Sequence, residues 1–231
     1  FGSSGPSIQA NRRCTQNWVV CAMVGCQQRQ RKRAEKLRLA AAALPEGTPL
    51  PIHLSRLSKD LVSAVARLHE AHLPVRYGQE FYDNALGSPH MTRVAVWHRE
   101  PGTFDVVGAV ICRDSHLDEE ANCLHVQTLM TSVPRHGVGA RLLSAVLAEA
   151  ESRGMRKSRL HVHVLNEPAI ALYWSLGYRV EAERPGYYAL SASLMRPPLD
   201  ALRMCRDADA VPSSQDHGPN PEEDTSSLSR S

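Results

Sequence analysis

The chain has little that would tie it to a membrane, a metal or a nucleic acid. The apolar run from Trp18 to Cys26 is interrupted by Gly25 and falls far short of the roughly 20 residues a spanning helix needs, so no membrane partner is expected. Lys and Arg number 27 against 24 Asp and Glu, a formal net charge of +3, too small for a general attraction to nucleic acid; no DNA partner is expected. Cys14, Cys21, Cys26, Cys112, Cys123 and Cys205 lack the paired short spacings that chelate zinc, and no secretory signal accompanies them. A metal is therefore not expected, and a reducing intracellular compartment is the default. There is no internal repeat and no Walker loop. The one glycine pair of interest, Gly137-Val138-Gly139, is not followed by Lys-Ser/Thr and lacks the third glycine of a dinucleotide fingerprint.

What is present fits one ordinary domain with tails: 231 residues, 42% of them apolar. Residues 1–40 carry Arg12, Arg13, Arg29, Arg31, Lys32, Arg33, Lys36 and Arg38 against the single acid Glu35. This basic stretch reads as a disordered or untranslated extension over 1–49, with Met23 as an internal candidate for initiation. An organellar transit peptide and a ribosome-contacting arm share that composition. Residues 206–231 have almost nothing to bury and read as a disordered acidic tail. The domain is expected over 50–205.

Within it, an extended segment precedes Ser58, which can cap a helix carrying Leu61, Val62, Val65 and Leu68 at helical spacing and ending near His72, before Pro74. Residues 91–97 and 106–112 read as strands around the turn Pro101-Gly102. A third strand, 123–133, runs into Pro134-Arg135-His136-Gly137-Val138-Gly139. An amphipathic helix follows, with Leu142, Leu143, Val146, Leu147 and Ala150 on one face. Residues 159–165 form a strand; Asn166 can cap a helix with Pro168 in its first turn and Gly177 at its exit. Residues 178–182 and 187–190 are expected to be closing strands. This order is α/β with a mixed sheet.

Glycines that let backbone amides approach a ligand, at a helix N-terminus with unsatisfied N–H groups, can hold a pyrophosphate. An ordinary strand-to-helix turn satisfies the same short pattern, so its context decides. The stretch Leu124-His125-Val126-Gln127-Thr128-Leu129, the Gly-Val-Gly helix, the run Leu160 to Tyr173 and Gly177-Tyr178 together resemble the acetyl-CoA core of GNAT-superfamily N-acetyltransferases. Leu73-Pro74-Val75-Arg76-Tyr77 with Phe81-Tyr82, Val107-Gly108-Ala109-Val110 with Cys112-Arg113, and Tyr187-Tyr188 are similar, more narrowly, to the catalytic subunits of NatE-type N-terminal acetyltransferases. The resemblance covers about 150 residues in the family's order.

The resemblance implies a GNAT fold: a mixed, mostly antiparallel sheet splayed at its central parallel strands and flanked by about four helices. It implies acetyl-CoA as cosubstrate, its pantetheine beside Leu129, Met130 and Thr131. The diphosphate would rest on Arg135, His136, Gly137, Val138, Gly139 and Ala140, and Asn166 and Tyr173 would lie near the thiol. A peptide or nascent-chain N-terminus, Met followed by a hydrophobic residue, would enter between Leu73, Pro74, Val75 and Tyr77 on one side and Tyr187 and Tyr188 on the other. An α-amine with a reference pKa of about 7.7–8.0 must lose a proton before it attacks a thioester. His125 and His161 are the candidate bases, the Leu129 N–H the candidate oxyanion donor, and Tyr173 the candidate acid for the departing sulfur. His163 is expected to face away from the cleft. A lysine or small-amine acceptor and a weakly catalytic scaffold keep the same fold. A NatA-like auxiliary subunit, the ribosome and a cytoplasmic location follow from the resemblance, an organelle replacing the cytoplasm if residues 1–40 are a transit peptide. Two departures stand out: His125 occupies a position where the family has Tyr, and the phosphate loop, two residues shorter, has Pro134 where Gln or Arg is usual. A proline supplies no N–H to a phosphate.

Overall fold

Seven strands form where β-branched and apolar residues dominate: β1 Ile52–Ser55, β2 Thr92–Glu100, β3 Thr103–Asp114, β4 Cys123–Thr131, β5 Lys157–His163, β6 Arg179–Arg184 and β7 Ala201–Asp207. The computed structural model describes residues 24–44, 48–73, 75–100, 102–114, 122–189 and 197–210. The strands join in the order β1-β2-β3-β4-β5-β7-β6, and only β4 and β5 run parallel. This is the mixed, mostly antiparallel sheet expected. Among the described residues five α-helices cover it, one more than expected: α1 Val24–Ala42, α2 Lys59–His72, α3 Gln79–Gly87, α4 Val138–Ser152 and α5 Glu167–Ser175.

The two faces of the sheet bury two apolar clusters. Leu142, Leu143, Val146 and Leu147 of α4 pack on Val107, Val110, Leu124 and Leu160; Val65, Leu68, Tyr82 and Ala85 of α2 and α3 pack on Val94, Val96, Ala109 and Ile111. Each such side chain contributes about 1.5–3 kcal/mol on leaving water. Gly108 lets α4 approach closely: a Cβ there would stand 2.9 Å from Leu142 Cδ1 and from the Met130 carbonyl oxygen.

Three expectations need correction. Residues 24–42 are not disordered: they form α1 because Leu37 and Ala41, one helical turn apart, are buried in the α4 cluster. A stripe that sparse does not outweigh eight basic residues when composition alone is read. Residues 187–189 are not strand: Gly186 adopts φ 64°, Tyr188 N–H bonds the Leu199 carbonyl at 2.8 Å, and the chain turns. The closing strand is β7, which runs past 205 to Asp207, and Ala208 N–H still bonds the Arg156 carbonyl. The short helix α3 was not anticipated. Pro74, Pro101, Leu190 and residues 1–23 and 211–231 lie outside the described residues.

Candidate active site

The site starts where the parallel pair ends. The β4–β5 ladder runs from Cys123↔Lys157 to Val126↔Leu160 and stops, while β4 continues against β3 as far as Gly108↔Thr131. A bulge lies between the pairs Cys112↔Val126 and Ile111↔Thr128, leaving Gln127 as the extra residue. Bulges bend a strand and sharpen its twist, so β4 turns away from β5 at this point. Leu129, Met130 and Thr131 thus lie on a stretch paired to β3 alone, and the alternate backbone groups of that stretch aim into the gap.

At the far end of the gap, Gly137 caps α4 at φ 70° and Arg135 stands at φ 65°. The first intrahelical bond is from Arg141 N–H to the Gly137 carbonyl. The amides of Val138, Gly139 and Ala140 therefore precede any helical acceptor and carry the positive end of the helix dipole. Gly139 also permits contact with α5: a Cβ would lie 3.2 Å from Leu172 Cδ2. Asn166 caps α5, its side chain accepting from Ala169 N–H at 3.4 Å.

His125 pairs with Arg159 in register, and His161 lies two residues further along β5; the two-residue period puts both histidines on the α2 side of the sheet. The same period puts His163 there too, contrary to expectation, with Tyr188 5.6 Å away. His161 stacks on Tyr187 with ring centroids 4.3 Å apart. Burial, then Arg184, Arg203, His125 and Arg159, lower its pKa to about 4, so near neutrality it is an uncharged acceptor. Tyr173 is buried beside Tyr178, and burial followed by the neighbouring Cys112 raises its pKa to about 12, which keeps its proton in place. The thiol of Cys112 is itself fully buried and pushed up by desolvation, unsuited to nucleophilic attack.

The walls of the cleft are aromatic. Leu73 ends α2, and Val75 and Tyr77 follow half-buried; burial and the nearby Tyr187 raise the pKa of Tyr77 to about 12. Opposite, Tyr187 and Tyr188 meet edge to face at 5.0 Å. The sequence did not single out His69, which joins these parts. Its Nδ1 is 3.1 Å from the Tyr82 hydroxyl on α3, its Nε2 3.5 Å from Thr128 Oγ1 on β4, and Tyr77 and Phe81 pack around it. A lone histidine in a helix gave no signal; its partners meet only through tertiary packing.

The profile of the Acetyltransferase (GNAT) family matches residues 60–178. The chain belongs to this family. N-alpha-acetyltransferase 50 of Danio rerio is 30% identical over 141 residues, covering 59% of this chain and 80% of the relative. A probable N-acetyltransferase, san, of Drosophila melanogaster is 27% identical over 140 residues, covering 59% and 73%. Among solved structures, Arabidopsis thaliana Naa50 in complex with the bisubstrate analogue CoA-Ac-MVNAL superposes with a TM-score of 0.57 at 24% identity, covering 68% of this chain and 99% of that one. The NatC complex bound to Gag peptide and CoA gives 0.59 at 19% identity, covering 68% and 98%.

This GNAT chain is thus an acetyl-CoA-dependent N-acetyltransferase with acetyl-CoA as cosubstrate. Its residues fit that molecule: a gap bordered by unpaired-side β4 backbone, and at its end a glycine-flanked helix N-terminus suited to phosphates. Among the described residues no helix is long and apolar enough to cross a membrane, and no group of three or more His, Cys, Asp or Glu is placed to hold a metal.

Proposed function

We propose that the chain acetylates the α-amino group of protein N-termini, preferring Met followed by a hydrophobic residue, by direct transfer with no covalent enzyme intermediate. The observation that carries this reading is the closure of two aromatic walls, at Tyr77 and at Tyr187-Tyr188, over a half-buried neutral imidazole at His161. Such a slot admits an extended chain end with an apolar first side chain. The relative named N-alpha-acetyltransferase 50 supports the same acceptor.

Acetyl-CoA supplies the activated acyl group when bound. Val138, Gly139 and Ala140 amides, with Arg135 and His136, hold its diphosphate; Leu129, Met130 and Thr131 align it, the Leu129 N–H standing where negative charge develops on the carbonyl oxygen. His161, with His125, takes the ammonium proton through a water. The arginines that depress His161 act on the incoming ammonium in the same sense, favouring its neutral, nucleophilic form. The Tyr173 hydroxyl, kept protonated by burial, gives its proton to the departing sulfur. A nascent-chain substrate, an auxiliary subunit, ribosome contact and a cytoplasmic location belong to the same proposal.

The test is incubation with acetyl-CoA and short peptides beginning Met-Leu, with free CoA recorded. The wild type should exceed His161→Ala by about 100-fold or more, the usual worth of a positioned base, and peptides with a blocked N-terminus and a free lysine should stay unmodified. Turnover no greater than that of His161→Ala overturns the reading; reaction of the blocked peptides moves the acceptor to lysine.

A further inference from the structure

The sheet face that carries the two candidate bases is also rich in arginine. Arg159 is the cross-strand partner of His125, Arg203 that of His161, and Ala201 pairs with both His163 and Arg184. Residues paired in register share a face, as do those two apart. Arg159, Arg203 and Arg184 therefore surround His161 on the α2 side, and all three act on its charge. Glu181, at the β6 bulge, accepts from Arg159 at 2.8 Å and forms an ion pair with Arg203 at 2.9 Å. Glu181 thus lies between two of the guanidiniums, and the third, Arg184, sits just before the Tyr187-Tyr188 wall.

Arg159 is badly placed for the phosphates of CoA. Those belong at the N-terminus of α4, beyond Thr131. Arg159 pairs with His125, six residues back along β4, about 20 Å at roughly 3.3 Å per residue. Arg159 and Arg203 are also ill suited to a nucleic-acid backbone, because their side chains are only 11% and 23% exposed. They can act on what enters the cleft. An extended peptide whose amine lay at His161, beside Arg203, and whose chain followed the Tyr187-Tyr188 wall would carry its next few side chains toward Arg184.

We infer that this cationic row selects N-termini with acidic side chains shortly after the first two residues, at about positions three to five. The inference rests on the N-terminal reading above and refines its substrate class: an apolar start, then Asp or Glu. Lysine-rich continuations are repelled.

The experiment compares two peptides with the same Met-Leu start, one with three Glu and one with three Lys at positions three to five, on the full chain. At low salt the acidic peptide should have a kcat/KM about tenfold higher, as two or three partly screened ion pairs would give, and the ratio should shrink as salt rises. Arg184→Glu, an exposed change, should cut that ratio several-fold. Equal kcat/KM for the two peptides at low salt overturns the inference while leaving N-terminal acetylation standing. An Arg184→Glu ratio equal to the wild type's also overturns it. Failure of both peptides to react overturns the inference together with the reading beneath it.

Discussion

His69 shows how one side chain can tie the proposed substrate wall to the sheet. It is 1% exposed and bridges Tyr82 of α3 and Thr128 of β4, and burial lowers its pKa to about 4. An unfolded chain takes up that proton near the reference value of 6.5. Between about pH 6.5 and 4 the unfolded state therefore binds more protons, so stability is full above 6.5 and falls as pH drops through that window. At pH 5 the 1.5-unit gap from 6.5 corresponds to about 2 kcal/mol lost. Urea melts at pH 7 and pH 5 should show this loss. His69→Gln, although less stable at pH 7, should show a smaller difference between the two pH values; an equal difference would mean that His69 is not the group responsible. The candidate site residues legible in the sequence, His125, His161 and the Gly137–Gly139 turn, are those carried by local motifs. His69 and the arginine row are not, because cross-strand register brings them together from α2, β5, β6 and β7.

The elements that shape the cleft depend on where regular pairing breaks. β4 leaves β5 at the Gln127 bulge, and the change of alternation is visible in its packing: Leu124 and Val126 belong to the α4 cluster, as does Leu129, whereas Met130 faces α2. Strand type could be read from composition; the bulge could not, since an extra residue leaves a period-two pattern blurred rather than marked. The 185–189 turn was misread for the opposite reason, two tyrosines of high strand propensity outweighing Pro185-Gly186. Gly108 is the tightest junction between strand and helix, and Gly108→Ala tests it. With the new Cβ set 2.9 Å from the Met130 carbonyl oxygen, the β4 backbone must shift, and the Leu142 and Val138 side chains of α4 must give as well. The expected cost is about 1–3 kcal/mol of stability by denaturant melts, with a raised KM for acetyl-CoA because α4 carries the proposed phosphate turn. A neutral substitution would show that the sheet and α4 are less closely locked than this geometry requires.

At the scale of the whole molecule, α1 joins the domain to a segment that precedes the family match at residue 60. It crosses the end of the sheet where β3 begins and β4 ends. Arg33 and Arg99 both pair with Asp105, whose carboxyl, despite burial, is held below its usual range by the two guanidiniums. Arg38 Nε donates to the Ser132 carbonyl at 3.1 Å, and Leu37 and Ala41 enter the cluster that contains Val133 and Val138. These contacts fall on both sides of the contracted 134–137 turn. Its backbone is thus framed by α1 as well as α4. If α1 is an integral layer, Leu37→Ala should cost about 2–5 kcal/mol, as for other buried leucines, in one cooperative transition. If α1 were a loosely attached arm, the same change would leave the main transition within about 0.5 kcal/mol of wild type, as surface substitutions do. Denaturant melts followed by circular dichroism decide between them, and a loss in the larger range fixes the folded unit as beginning within the basic segment.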